Sequence, residues 1–154
     1  MTEHEMYMQI ADYMRYQYPK VIYRFDLAAD LKLSIGQAKK HKRLQGRRGY
    51  PDLFIAEPRN VKAKCKVIAN RGVIKEAHFL YQKYGLFIEL KRPDVKIYKK
   101  NGELVANEHI REQAALLEEL RQRGYVAEFA CGFDEAKKII DEYLGGPAKE
   151  EVEF

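Results

Sequence analysis

Gly49–Ile55 (GYPDLFI) and Leu86–Lys91 (LFIELK) are the two segments that decide the fold of this chain. Each is a short run of apolar, strand-forming residues with ionisable side chains at one end. In the second segment Glu89 and Lys91 are two positions apart, so an extended chain directs both side chains to one face, about 6–7 Å apart. The residues before and between them point to the opposite face. The sequence therefore predicts a buried strand with a charged pair on one side.

If the two segments pair as neighbouring strands, Asp52 lies beside Glu89 and Lys91. Two carboxylates at close range repel each other unless a cation joins them or one takes up a proton. A hard divalent ion such as Mg²⁺, which prefers carboxylate oxygens and retains waters, removes that repulsion. The pattern indicates a centre for phosphodiester cleavage. The predicted ligands are Asp52, Glu89 and the backbone carbonyl of Leu90, with Lys91 beside the attacking water.

Structural roles are the alternative for the same residues. An aspartate after a proline commonly begins a turn, and Glu-x-Lys on a strand is often a solvated face with a weak ion pair. The flanking residues Leu86 and Phe87 favour a buried strand instead. Unpaired charge is costly there and generally has a function, which favours the catalytic interpretation.

The combined pattern resembles the PD-(D/E)XK nuclease superfamily and, more narrowly, the stand-alone VRR-NUC domains of phages and bacteria. It consists of Gly-x-Pro-Asp-Leu, then Glu-x-Lys, then a helix carrying Gln113. The resemblance extends to Arg24–Leu27, Leu31–Ala38 and Gly132–Ala136, and covers the chain from about residue 5 to residue 144.

The resemblance implies an α/β fold with a restriction-endonuclease-like core, in which helices flank a mixed β-sheet. It also implies a requirement for Mg²⁺ or Mn²⁺ and cleavage of structured DNA, with 5′-phosphate and 3′-hydroxyl ends. Stand-alone members of the family are similar in being homodimers that cut four-way (Holliday) junctions. These properties are expectations from the likeness alone.

Two further catalytic candidates follow from the resemblance. Gln113 is similar to an accessory polar residue that holds the metal-bound water or the lysine, although an exposed helical amide is the alternative. Glu5 corresponds to an acidic residue of the first helix that borders the metal site. Glu5 also lies three residues after Thr2, which fits a capping box and needs no chemistry.

Composition is that of one soluble domain with a basic surface. The chain has 154 residues, a net charge of +5 and a pI of about 9.1, which favours a polyanionic partner. We expect a single nuclease domain over residues 1–144, an insertion at 57–84 and a flexible tail at 145–154. Cys65 and Cys131 lack metal-ligand spacing and are expected to be reduced thiols. With no long apolar segment and no secretion leader, we expect a location in the bacterial cytoplasm or a phage-infected host and no membrane contact.

Two basic strips are candidates for contact with DNA. Six of the ten residues from 39 to 48 are basic: Lys39, Lys40, Lys42, Arg43, Arg47 and Arg48. A second strip consists of Lys62, Lys64 and Lys66. A charge run is often only a solvated face, but the first strip directly precedes the Asp52 strand, where phosphate would approach.

Periodicity and turn residues predict the remaining elements. Helices are predicted at about 2–18, 34–45, 108–123 and 133–144, and strands at 21–25 and 125–130. The interval 61–68 with a turn at 70–72 predicts a basic hairpin. Asn101–Gly102 between two apolar runs predicts a second hairpin over 95–105.

Two other functions remain open from the sequence. One is a non-catalytic nucleic-acid-binding protein of the same fold, and the other is a restriction-type enzyme that cuts duplex DNA. The intact Asp52, Glu89 and Lys91 argue against the first. A restriction enzyme would need an added recognition element, which only the interval 57–84 could supply.

Overall fold

A computed structural model describes residues 1–26, 31–68 and 70–147. The predicted tail from residue 148 onwards and Leu27 of the motif at 24–27 lie outside the described residues. The elements in chain order are α1 Glu3–Gln17, β1 Tyr23–Phe25, α2 Ile35–Leu44, β2 Leu53–Ile55, β3 Arg59–Ile68, a 3-10 turn Asn70–Gly72, β4 Ile74–Lys83, β5 Leu86–Lys91, α3 Glu108–Gln122, β6 Val126–Cys131 and α4 Phe133–Leu144.

The main sheet has four strands in the order β1-β2-β5-β6. β1 pairs antiparallel with β2 and β2 pairs antiparallel with β5, whereas β5 and β6 are parallel. The parallel pair is connected through α3, which is the crossover that parallel strands require. The described residues thus form a mixed sheet flanked by helices, and the predicted α/β class is confirmed.

β5 lies in the middle of the core because helices cover both faces of the sheet. Ile88 and Leu90 are fully buried on the face that packs against α1 and α4, as predicted. Phe87 packs on the other face with Leu117 of α3 and Ala127 of β6. A strand covered on both sides leaves little water for any charged residue that it carries.

Side-chain caps begin three of the helices where the sequence predicts them. Thr2 and Glu5 form a capping box at α1, and Ser34 with Gln37 forms another at α2. The Asn107 side chain accepts a hydrogen bond from the Ile110 backbone N–H at α3. α4 begins and ends at the predicted residues, and none of the described helices is long and apolar enough to cross a membrane.

The predicted basic hairpin is present and forms a sheet of its own, which we call the ribbon. β3 and β4 pair antiparallel over ten residues each, from Arg59↔Lys83 to Ile68↔Ile74. Exposure alternates along β3, and Lys62, Lys64 and Lys66 share the exposed face. Cys65 lies on the opposite face, and it and Cys131 are both free thiols.

The second predicted hairpin is present in a short form, with hydrogen bonds on both sides of a single bridge. Between residues 95 and 105 there is one bridge, Tyr98↔Leu104, and the turn is closed by the hydrogen bond from Lys99 N–H to the Glu103 carbonyl. Ile97 is buried in this segment, while Tyr98 is exposed. The Val105 N–H also donates to the Ile97 carbonyl, so the two runs pair over only a few residues.

Candidate active site

The pairing of β2 with β5 brings the three predicted residues together. Leu53 is opposite Ile88, and continuing that antiparallel register by one residue sets Asp52 opposite Glu89. Asp52 Oδ2 accepts a hydrogen bond of 2.7 Å from the backbone N–H of Leu90. Lys91 Nζ donates to Glu89 Oε1 at 2.8 Å. The aspartate is therefore fixed to the strand that carries the other two side chains.

Gln113 completes the cluster from the opposite side. It projects from α3, is 4% exposed, and its Nε2 donates to Glu89 Oε1. The alternative of an exposed helical amide is wrong because residue 113 lies between Ile110 and Leu117 on the face of α3 that covers the sheet. Ala114 and Leu120 of the same helix are only half-buried.

A glycine before the aspartate allows this close packing. Gly49 has φ +76°, a left-handed conformation that strains residues with side chains. Its backbone lies against Gln113, since a Cβ built there would be 3.6 Å from Gln113 Cγ. Gly49 thus lets the chain turn beneath α3 and enter β2 with Asp52 directed at Glu89.

Burial shifts the protonation of both carboxyl groups towards the neutral form. Glu89 is 2% exposed and Asp52 is 8% exposed. Desolvation, with the neighbouring Asp52 carboxylate, raises the pKa of Glu89 to about 8, against the opposing effect of Lys91. Burial also raises the pKa of Asp52, although the Leu90 N–H partly offsets it. The site has more negative charge than its protein surroundings stabilise.

Two buried oxygens of the cluster have no hydrogen-bond partner among the described residues. They are Glu89 Oε2 and Gln113 Oε1. Both donors to Glu89 reach its Oε1, so its second oxygen is left for another positive group. Orphaned acceptors beside a carboxyl pair fit a divalent cation, which takes carboxylate, amide and carbonyl oxygens.

The ligand set would be a small one. No group of three or more His, Cys, Asp or Glu side chains suited to a metal occurs in the described parts of the chain. Mg²⁺ commonly binds through one or two carboxylates and keeps several waters, so Asp52 and Glu89 are sufficient for it.

The structure adds Tyr7 and Glu3 of α1, which the sequence analysis did not select. The buried Tyr7 hydroxyl donates to Glu3 Oε1 at 3.2 Å and lies beside the Asp52 carboxylate. Burial beside these carboxylates raises the pKa of Tyr7 above its ordinary value. The available signal was their four-residue spacing, which stacks Glu3 and Tyr7 on one face of the helix.

Glu5 serves the helix cap instead. Its Oε2 accepts the Thr2 N–H at 2.7 Å, and the side chain is exposed. This hydrogen bond lowers the pKa of Glu5. The capping interpretation is confirmed, and Glu3 is the acidic residue of α1 whose contacts lead to Asp52.

Comparison with known proteins finds a match among solved structures. No family model and no curated protein matches the chain. A solved structure described as a "VRR_NUC domain protein" matches with a TM-score of 0.58 and 21% identity, over 100% of this chain and 98% of that one. The chain has the fold of a VRR-NUC domain. The resemblance stated from the sequence is thereby confirmed at the level of the fold, including its restriction-endonuclease-like core.

Within the VRR-NUC fold, Arg47 of the first basic strip lines a cavity that reaches the candidate site. All six residues of the strip are exposed, and Arg47 forms an ion pair of 2.6 Å with Glu119 of α3. The cavity, of about 380 Å³ between α2 and the β1–β2 edge, is lined by Arg24, His41, Arg47 and Tyr50, and reaches Pro51 next to Asp52. The second strip lies on the exposed face of the ribbon.

Proposed function

We propose that the chain is a divalent-metal-dependent endodeoxyribonuclease that hydrolyses phosphodiester bonds in branched DNA of the Holliday-junction type. One observation carries the proposal: the buried convergence of Asp52, Glu89 and Lys91 around acceptors that lack a partner. The printed name of the matching structure, a VRR_NUC domain protein, supports a nuclease. The basic surface supports a nucleic-acid substrate.

The residues present fit Mg²⁺ or Mn²⁺. Asp52, Glu89 and the carbonyl of Leu90 would hold the ion, with Gln113 Oε1 as an additional acceptor for a coordinated water. A divalent ion there supplies positive charge that polarises the phosphodiester and favours deprotonation of the attacking water. The raised pKa of Glu89 means that binding also displaces a proton at neutral pH.

Protein side chains would orient the attacking water, stabilise the developing charge and position the carboxylates. Lys91 is partly exposed beside Glu89, where its ammonium can orient the water and stabilise the charge that develops on phosphorus oxygens. Gln113 holds Glu89 in place through a hydrogen bond, and the Tyr7 hydroxyl lies beside Asp52. Displacement of the 3′ sugar oxygen would leave 5′-phosphate and 3′-hydroxyl ends.

DNA would be held by the two basic strips. The first includes Arg47 in the cavity that reaches Pro51, and the ribbon presents Lys62, Lys64 and Lys66 along about 13 Å of β3. We further propose that the active unit is a homodimer. A four-way junction has two-fold symmetry, and paired symmetric nicks need two sites, which a symmetric dimer of this small chain provides.

Cleavage assays on a substrate panel test this function. Duplex, flap, splayed-arm and four-way-junction DNAs are incubated with Mg²⁺, Mn²⁺ or EDTA, and the ends are mapped on a sequencing gel. We expect metal-dependent nicks at the junction and none in EDTA, with Lys91→Ala as the inactive control. Tight binding without cutting under every metal would replace the proposal with a non-catalytic binder. Cutting of plain duplex at a defined sequence would replace it with a restriction-type enzyme.

A further inference from the structure

The cavity between α2 and the β1–β2 edge opens on the same face of the sheet as the candidate site. Arg24 and Phe54 line it and are cross-strand partners, and Phe54 is in turn opposite Phe87. Cross-strand partners share a face, and so do residues two apart on a strand. Phe87 precedes Glu89 by two positions, and Phe54 follows Asp52 by two. The cavity and both carboxylates therefore lie on one face.

The backbone also connects the cavity to the candidate site. The Asp26 N–H donates to the Asp52 carbonyl at 2.8 Å, and Asp26 and Pro51 both line the cavity. Neighbouring strands are about 4.8 Å apart, so the cavity begins one strand away from Asp52. A group held in it would be the immediate neighbour of a phosphate bound at Asp52.

Apolar and aromatic side chains form one part of the cavity wall. They are Leu44 of α2, Tyr50, Pro51 and Phe54. The Tyr50 ring stands edge-on to Phe87, with 5.7 Å between the ring centroids, and Tyr50 is 49% exposed. Packing against Phe87 thus fixes a ring that remains half open to solvent, which suits stacking on a planar ligand.

Charged side chains form the rest of the wall. Arg24 and Arg47 are exposed, and Asp26 and His41 face each other with 3.5 Å between Oδ1 and Nε2. Guanidinium groups bind phosphates, whereas a carboxylate and an imidazole hydrogen-bond to the polar edge of a base. A phosphate alone does not suit the cavity, because Asp26 repels it and the apolar walls donate no hydrogen bonds.

The size of the cavity fits one base and not a base pair. Its volume of about 380 Å³ is near the lower end of the range for small-ligand pockets, about 300–1,000 Å³. α2 leaves this space open because none of its residues, Ile35–Leu44, is buried. A base in a duplex would have to leave its stack to enter, and that costs least where the base is already unpaired.

We propose that the cavity receives one unpaired nucleobase adjacent to the scissile phosphate, stacked on Tyr50 with its polar edge towards Asp26 and His41. Arg24 and Arg47 contact the flanking phosphates. The inference rests on the proposed function and deepens it, because it names the feature of branched DNA that the protein recognises. Stacking on an aromatic ring accepts any base, so the preference is for an unpaired nucleotide and not for a sequence.

An abasic scan of flap DNA tests the proposal with the native chain. Each substrate lacks one base, at successive positions on both sides of the branch, and fluorescence anisotropy in EDTA measures its affinity without cleavage. We expect one position at which loss of the base weakens binding about 10-fold, as for removal of a base–aromatic stack. Loss of the base at the other positions should leave the affinity unchanged.

Variants of Tyr50 connect that position to the cavity. Tyr50→Ala should weaken binding of intact flap DNA about 10-fold and should lose nothing further on the sensitive abasic substrate. Tyr50→Phe should restore the affinity that Tyr50→Ala loses, since the ring and not the hydroxyl makes the stack. Tyr98→Ala is the matched control, because Tyr98 is 54% exposed in the 95–105 segment, and it should bind and respond like the native chain.

Three results would overturn the proposal. They are a native chain that binds no flap DNA, a scan with no sensitive position, and losses from Tyr50→Ala and from the abasic substitution that simply add. Arg24→Ala weakening all substrates equally, with no sensitive position, would assign the cavity to backbone phosphates instead. Metal-dependent cleavage in any of the cases with DNA binding would leave the nuclease proposal standing, and a sensitive position without cleavage under any metal would leave only the base site.

Discussion

β5 and the ribbon place charged residues on strands with opposite consequences. On β5, Glu89 and Lys91 alternate with apolar residues, and α3 covers the face that they share. On β3, Lys62, Lys64 and Lys66 alternate with apolar residues in the same way, but their face is open to solvent. The same pattern gives β5 a buried cluster with a raised carboxyl pKa and unpaired acceptor oxygens, and gives β3 a solvated basic strip. The covering helix makes the difference, because it removes the water that would otherwise screen the charge.

The largest effect is expected from the two buried carboxylates. Asp52→Asn and Glu89→Gln each remove formal charge from the proposed cation site, so both metal binding and cleavage should fall. We expect loss of cleavage by at least about 1,000-fold, corresponding to the several kcal/mol that a metal ion supplies. Calorimetric Mn²⁺ titration and single-turnover cleavage measure the two effects. Unaltered metal affinity in both variants would contradict the assignment.

Replacing Lys91 should reduce the rate of cleavage without reducing the affinity for the metal ion. Lys91→Ala removes the ammonium that faces the reacting phosphate but leaves both carboxylates, so cleavage should fall by about 100–1,000-fold while Mn²⁺ affinity is largely retained. Lys64→Ala, which removes a strand lysine from the ribbon, is the matched control and should cleave normally at saturating protein. If Lys64→Ala lost as much cleavage activity as Lys91→Ala, the claim that the β5 lysine is catalytic and the β3 lysine is not would be contradicted.

The lysine face of the ribbon should contribute to DNA binding and not to the chemical step of cleavage. Replacing Lys62, Lys64 and Lys66 by Ala removes up to three phosphate contacts, and each lowers the salt slope of duplex binding by about 0.9. Fluorescence anisotropy over a range of salt concentrations measures that slope. An unchanged slope would mean that the strip is solvated and makes no contact with DNA.

The smallest effect concerns the stability of the metal-free protein. The folded-state pKa of Glu89, about 8, lies above its ordinary 4.5, so the folded protein holds a proton that the unfolded chain loses in this window. Stability should therefore fall as the pH rises from about 4.5 to 8, and Glu89→Gln should flatten that fall and stabilise the protein by about 1–2 kcal/mol at pH 8. Urea unfolding at several pH values measures it, with Glu76→Gln on the ribbon as the control. A native protein that gained stability over this range would refute the shift.

Local sequence signals predicted the parts of the fold that depend on neighbouring residues. The caps at Thr2, Ser34 and Asn107 and the bounds of α4 follow from side chains within a few positions of the helix ends. The 95–105 hairpin forms at the turn that Asn101–Gly102 predicts, but its two runs pair through a single bridge and do not extend into strands. Whether a strand forms depends on what packs against it, which a local pattern does not contain.

In the candidate site too, local sequence patterns predicted some contacts, while others depend on how the helices pack. The pairing of Asp52 with Glu89 and Lys91 was predicted from strand alternation and proved correct in the geometry. The burial of Gln113 and the position of Tyr7 beside Asp52 depend on how α3 and α1 are rotated against the sheet. That rotation is set by packing across the whole core, so the residues that hold the carboxylates became visible only in the structure.

A crystal structure of the protein grown with Mn²⁺ tests the central claim most directly. Anomalous scattering should give a peak in contact with both Asp52 and Glu89 Oε2, and the peak should be lost in Glu89→Gln. A peak elsewhere on the chain, or an ordered Glu89 that remains paired with Lys91 and Gln113 alone at saturating Mn²⁺, would contradict it.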